Sequence, residues 1–211
     1  GRLLADLGAS VVRVEPPEGG RSRGLPPFKD GCSLYFATRN SNKLGLALDL
    51  DSDGDRERFL ELLSRADLLI ESERPGRLAE WGLDPVALCD RFAHLTVLSI
   101  SDFGQTGPYR DWVATDSTLC AIGGMQSKAG TADREPLFTP GAMAYDIAGI
   151  MGAYAAMVAI HRCTQTGFGQ RIDLSVLEAV AEQTDWAYSN GSMIEAKGQD
   201  STTVRNGSGP I

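Results

Sequence analysis

The sequence predicts an α/β fold, a parallel sheet covered by helices on both faces. Short aliphatic runs at residues 11–15, 44–50, 66–71 and 95–101 alternate with stretches of helical character. The later runs are apolar through nearly their whole length, as in strands buried on both sides. Gly8 separates a leucine-bearing helical turn from the first run, and this helix–glycine–strand order implies an α/β crossover whose partner strand is expected before residue 1.

Taken in order, residues 2–7 are expected to form a helical turn stopped by Gly8, and residues 11–15 a β-branched strand ended by Pro16-Pro17. Residues 18–31, rich in glycine and proline, are expected to form a surface loop. A strand over 44–50 leads into a helix over about 52–65, with Phe59, Leu60, Leu62 and Leu63 inward and Asp51-Ser52-Asp53 capping its start. After the strand at 66–71, Pro75-Gly76 turns the chain into short helices near 77–81 and 84–92. Residues 102–109 form a loop after the strand at 95–101, on the side where open α/β sheets place ligands. A short helix over 115–122, a long one from about 142 to 164 stopped at Gly167, a strand at 171–174 and a helix capped by Ser175 complete the reading.

At 211 residues the chain is long enough for one substantial domain or part of a larger one. It is 42% hydrophobic and 23% charged, as soluble globular proteins are. A net charge of −8 with no dense Lys/Arg run argues against nucleic acid as a partner. Four scattered cysteines with no CxxC give neither a zinc site nor a disulfide framework, so no metal is expected and reduced, mostly buried thiols in the cytoplasm are. No G-x-S-x-G is present, and Gly167-Phe168-Gly169 follows a helix instead of a strand, the wrong order for a dinucleotide loop. The chain starts at Gly1, inside a helix, and stops in RNGSGPI, so it reads as a fragment.

The organising stretch is 138–175. Between residues 142 and 160 every side chain is apolar or small except Asp146. The apolar run after it, 147–160, is short of the roughly 20 residues of a membrane span, so a buried core helix is expected and no membrane. A carboxylate buried there without a partner would cost several kcal/mol, about 3–5 by the usual penalty. Helix-end charge and catalyst are both open readings of Asp146 on these grounds.

The succession LLADLGASVVRVEPP, YFATRNSNKLGLALDL, ADLLIESERPGRLAEWGL, LSISDFGQTGPYRD, then the Asp146 helix with HRCTQTGFGQRIDLSVLEA resembles the class III CoA-transferases, the CaiB/BaiF group. The resemblance covers nearly all of residues 1–185 and implies a Rossmann-like sheet within an interlocked homodimer. It also implies a large domain over 1–188 and a linker or arm over 189–211 toward a further small domain. The implied activity, formyl-CoA-transferase-like, moves CoA from an acyl-CoA to a free carboxylic acid, with Asp146 as nucleophile. In that scheme the positive helix end keeps Asp146 ionised, and free backbone N–H groups beside it stabilise developing charge.

The positions matching the family's CoA contacts are Arg39, Asn42, Lys43, Leu48, Ser72, Glu73, Arg74 and Trp81. The cations Arg39, Lys43 and Arg74 would seek phosphate, and Trp81 would pack near adenine. The chain departs from the family pattern at Ser72-Glu73, in place of Asn-Phe, at Thr115-Asp116, in place of Tyr-Asp, and at Cys120, in place of a glutamine. An α-methylacyl-CoA racemase is the alternative enzyme of this fold, but its histidine falls on Thr115, which cannot carry a proton between two faces of a substrate. A non-catalytic CoA-binding subunit is the other alternative.

Overall fold

The computed structural model describes residues 1–130, 134–184 and 196, and the chain divides into two compact units. One comprises Gly1–Glu71, Gly76–Leu98 and Ala153–Ile172; the other Ser72–Pro75, Ser99–Gly152 and the described residues from Asp173 on. The expected arm at 189–211 lies outside the described residues, apart from position 196.

The chain begins with α1 (Arg2–Asp6), closed by Gly8 at a φ of +100°, where glycine avoids the steric cost of a Cβ. β1 (Val12–Glu15) pairs in parallel with β4 (Leu44–Ala47), Val12 opposite Leu44 and Glu15 opposite Ala47. Between them, the loop expected at 18–31 runs into a small antiparallel hairpin, β2 (Phe28–Lys29) with β3 (Cys32–Ser33). The helix α2 (Leu34–Asn40), which the sequence leaves unassigned, starts where the Ser33 hydroxyl accepts the Phe36 N–H at 3.1 Å. Then follow α3 (Asp53–Leu63), β5 (Leu68–Glu71), α4 (Arg77–Glu80) and α5 (Pro85–Arg91). Asp84 caps α5 by accepting the Val86 and Ala87 amides at 2.9 and 3.2 Å, with Pro85 in the first helical position. β6 (Thr96–Ser101), α6 (Asp116–Ile122), α7 (Met143–Thr166), β7 (Arg171–Ser175) and α8 (Val176–Gln183) complete the order.

The strands form a β5–β6–β7 sheet, the β1–β4 pair and the hairpin. Among the described residues only β6 has the burial expected of a strand covered on both faces, with residues 96–99 buried; β4 is exposed along its length, Leu44 at 65%. Each unit has its own core. In the first, Leu48, Phe59, Leu63, Leu83, Leu88, Leu95 and Val97 pack together. In the second, Leu119, Cys120, Ala144, Ala148, Val176 and Val180 do so. Full burial of one such aliphatic side chain contributes about 1.5–3 kcal/mol.

Two glycines allow backbone to approach where a side chain would not fit. A Cβ on Gly123 would lie 2.6 Å from Val180 Cγ1, so the glycine lets the end of α6 close on α8. A Cβ on Gly169 would lie 2.1 Å from the Leu95 carbonyl oxygen, while the Gly169 N–H donates to Ala93 O at 2.7 Å. The Gly-Phe-Gly segment is therefore built for packing against the start of β6.

The long helix corrects one expectation. α7 is not a buried core helix in this chain: 28% of its most apolar window is buried, and by length and composition alone it passes the test for a membrane span. Its small residues turn inward, with Ala144, Ala148, Ala156 and Ala159 at 0 to 1% exposure. Its large ones turn outward, among them Ile150, Tyr154 and Val158. Small side chains give close packing on one face only, and the mostly apolar composition conceals that polarity. The thiols correct another: Cys120 is buried, Cys89 and Cys163 are partly so, and Cys32 is exposed, all four free.

Candidate active site

The first turn of α7 carries Asp146. The Asp146 N–H donates to Ala142 O at 2.8 Å, so Ala142 stands at the cap position and Ala144 and Tyr145 are the second and third helical residues. A cap side chain normally accepts the N–H of one of those two residues. Alanine has no acceptor, and here the partner comes from α6. Asp116 Oδ1 accepts the Ala144 N–H at 2.8 Å and the Tyr145 N–H at 3.4 Å.

A second carboxylate holds the same turn by its side chain. The Tyr145 hydroxyl donates to Asp102 Oδ1 at 3.2 Å, and Asp102 Oδ2 accepts the Ala114 N–H at 2.9 Å. Asp102 thereby ties the loop after β6 to α7. In that loop Phe103, Tyr109 and Trp112 contact one another, the Tyr109 and Trp112 rings 4.5 Å apart. Asp116 Oδ2 lies 3.8 Å from Cys120 Sγ, whose thiol is pushed up by burial first, the Asp116 charge adding to it.

Asp146 itself is exposed, so the burial cost anticipated for it does not arise. The expectation of free N–H donors beside it also changes, because Asp116 already occupies those of Ala144 and Tyr145. Thr115 is the cap of α6, its hydroxyl accepting the Thr118 N–H at 3.3 Å. Of the residues that build the turn, Tyr145 was missed by sequence reasoning. An alanine at a helix cap, which leaves amides to be satisfied from elsewhere, is the signal for a partner such as Asp116. An open hollow of about 260 Å³ in the same unit, lined by Met151, Asp173 and Glu178 among others, does not include Asp146. Among the described residues no group of three His, Cys, Asp or Glu is arranged to hold a metal.

The residues matched to CoA contacts fall in both units. In the first, the Arg39 guanidinium lies 4.0 Å from the Tyr35 ring centre. Asn42, at a φ of +62°, donates to Asp6 Oδ1 at 2.8 Å. Lys43 Nζ donates to Asn40 Oδ1 at 2.8 Å. Its pKa is lowered, chiefly by burial, then by the charges of Arg13 and Arg2. Leu48 is a core residue at 4% exposure, which withdraws its side chain from any ligand. The Trp81 indole N–H donates to Asp51 Oδ1 at 2.6 Å, and Arg77 stacks on its ring at 4.3 Å. Ser72, Glu73 and Arg74 belong to the second unit and are all exposed.

Comparison with known proteins identifies the family and the fold. The model of CoA-transferase family III matches residues 1–209. A probable CoA-transferase of Mycobacterium tuberculosis is 40% identical over 184 residues, covering 87% of this chain and 23% of the relative. The succinyl-CoA–D-citramalate CoA-transferase of Chloroflexus aurantiacus is 36% identical over 183 residues, covering 85% of this chain and 45% of the relative. The crystal structure of a CaiB/BaiF family protein from Brucella suis superposes with a TM-score of 0.87 at 31% identity, covering 95% of this chain and 53% of that one. The chain thus spans less than half the length of these curated relatives. An α/β chain with this succession of elements, matched over residues 1–209 by the family model, belongs to CoA-transferase family III.

Proposed function

We propose that the protein moves CoA from an acyl-CoA to a free carboxylic acid, with Asp146 as the nucleophile. The observation that carries this reading is the solvent-facing Asp146 carboxylate in the first turn of α7. Membership of the family supplies the class of chemistry.

An Asp146 oxygen attacks the acyl carbonyl of the donor, expelling CoA thiolate and leaving an aspartyl–acyl anhydride. The thiolate attacks Cγ of Asp146, the donor carboxylate departs, and an aspartyl-CoA thioester remains. The acceptor carboxylate attacks that thioester to form a second anhydride and free thiolate. Attack of the thiolate on the acceptor's carbonyl then restores Asp146 and releases the new acyl-CoA. Charge is conserved in every step and no proton is transferred, so the scheme needs no general base. A covalent route divides one difficult transfer into easier ones.

The cations Arg39, Lys43 and Arg74 are proposed for CoA phosphates, Asn42, Ser72 and Glu73 for the same loops, and Trp81 for the adenine side. Leu48 would contribute only through its backbone. Succinyl-CoA, the donor named for the Chloroflexus relative, is the first to try. An interlocked homodimer in a reducing cytoplasm is the proposed setting. Racemase chemistry is disfavoured because Thr115 is not an acid/base group and its hydroxyl caps α6.

The test uses the full-length protein with succinyl-CoA and hydroxylamine, followed by peptide mass spectrometry. A hydroxamate on Asp146, absent from an inactive Asp146→Asn variant, is the expected result. An unmodified Asp146 together with an active Asp146→Asn variant refutes the assignment, and CoA binding without any turnover favours the non-catalytic subunit.

A further inference from the structure

The geometry points to Asp116 as a positioning residue: its carboxylate caps α7 from outside the helix and sets the turn that presents Asp146. This inference rests on the reading of Asp146 as nucleophile. The motivating fact is a mismatch between sequence and need. The residue that caps this 24-residue helix, Ala142, has no side-chain acceptor, and alanine is among the poorest caps. Asp116 Oδ1 takes both amides that a cap would take, those of Ala144 and Tyr145.

The residue immediately before Asp146 is consequently held at two points. Its backbone N–H goes to Asp116, and its hydroxyl goes to Asp102. Asp146 follows with its own N–H committed to Ala142 O. Loss of the Asp116 acceptor frees the first amides and lets the turn carrying the nucleophile fray. A displacement of the order of 1 Å in a reacting group lowers rate by about 100-fold. Because the reaction moves no proton, Asp116 acts on geometry and takes no part as an acid or base.

The experiment compares Asp116→Ala and Asp116→Asn in the full-length protein, with Asp146→Asn as control. The readouts are the rate of Asp146 hydroxamate formation from succinyl-CoA, the KM for succinyl-CoA, and amide-exchange protection of Ala144 and Tyr145. Alanine is expected to slow trapping about 10- to 100-fold, with KM little changed and both amides losing protection. Asparagine keeps an acceptor oxygen and is expected to restore protection and most of the rate. Trapping at the wild-type rate in Asp116→Ala overturns the proposal, as does an asparagine variant as slow as the alanine one. Should Asp116→Ala not fold, Asp116→Ser replaces it: its shorter arm falls short of the amides, so a wild-type rate there overturns the proposal and a slow one supports it. An active Asp146→Asn refutes the nucleophile alone, since amide protection reports the cap independently of the reaction.

Discussion

Glu15 should give the chain a stability that drains away in acid. Its carboxylate, 7% exposed at the end of β1, accepts from Arg23 Nη2 at 2.7 Å and from the Gly20 N–H at 2.9 Å, and pairs with Arg13 Nε at 3.2 Å. The Arg23 guanidinium is the largest cause that holds the pKa down, from 4.5 to about 2, against the opposing effect of burial; Gly20 and Arg13 add to it. The folded state therefore binds fewer protons than the unfolded chain between these two values. The resulting stabilisation is fully present above 4.5 and is lost as pH falls toward 2.

At 1.36 kcal/mol per pH unit the full gap corresponds to about 3 kcal/mol. Arg23 is 52% exposed, so solvent screens its share and about 2 kcal/mol is the working figure. Urea unfolding of wild type and Glu15→Gln between pH 7 and pH 2.5 measures it. Wild type should be more stable by about 2 kcal/mol at pH 7, with the difference shrinking steadily below the carboxylate range. A difference that does not change with pH, or none at pH 7, would refute the argument that Arg23, Gly20 and Arg13 stabilise the ionised Glu15.

Gly169→Ala should destabilise by about 2–4 kcal/mol, combining overpacking against Leu95 O with loss of the hydrogen bond to Ala93 O. Gly45→Ala, on exposed β4 with no atom within 4 Å of the new methyl, should stay within about 0.5 kcal/mol; equal costs by thermal denaturation would sink the packing argument. Asp84→Ala removes a cap that accepts two amides and should cost about 1 kcal/mol, with Asp84→Asn recovering most of it; an unchanged melting temperature for the alanine variant contradicts this.

Much of the secondary structure was legible because its signals are local. Gly8 and Gly167 end helices at positive φ, and Ser175 caps α8 by accepting the Glu178 N–H at 3.3 Å. Asp84 and Pro85 mark the start of α5 by residue type alone. The helix at Leu34–Asn40 was not legible, because LYFATRN carries no clear period and gains its anchor from Ser33. Nor was the inward face of α7: when nearly every residue is apolar, periodicity cannot say which side faces the core.

The family follows from resemblance to known chains. The sequence by itself determined most of the strands and helices, though not α2 or the β2–β3 hairpin, and Asp146 as the lone charge between residues 142 and 160. Those properties follow from residue type and spacing along the chain. Only the tertiary structure decided that Asp146 is exposed, that Leu48 belongs to the core, and that Asp116, a residue distant in sequence, supplies the cap that Ala142 lacks. A hydrogen bond between helices depends on where folding brings two segments together. No local pattern records that distance, and so the residues that hold Asp146 in place emerge only in the fold.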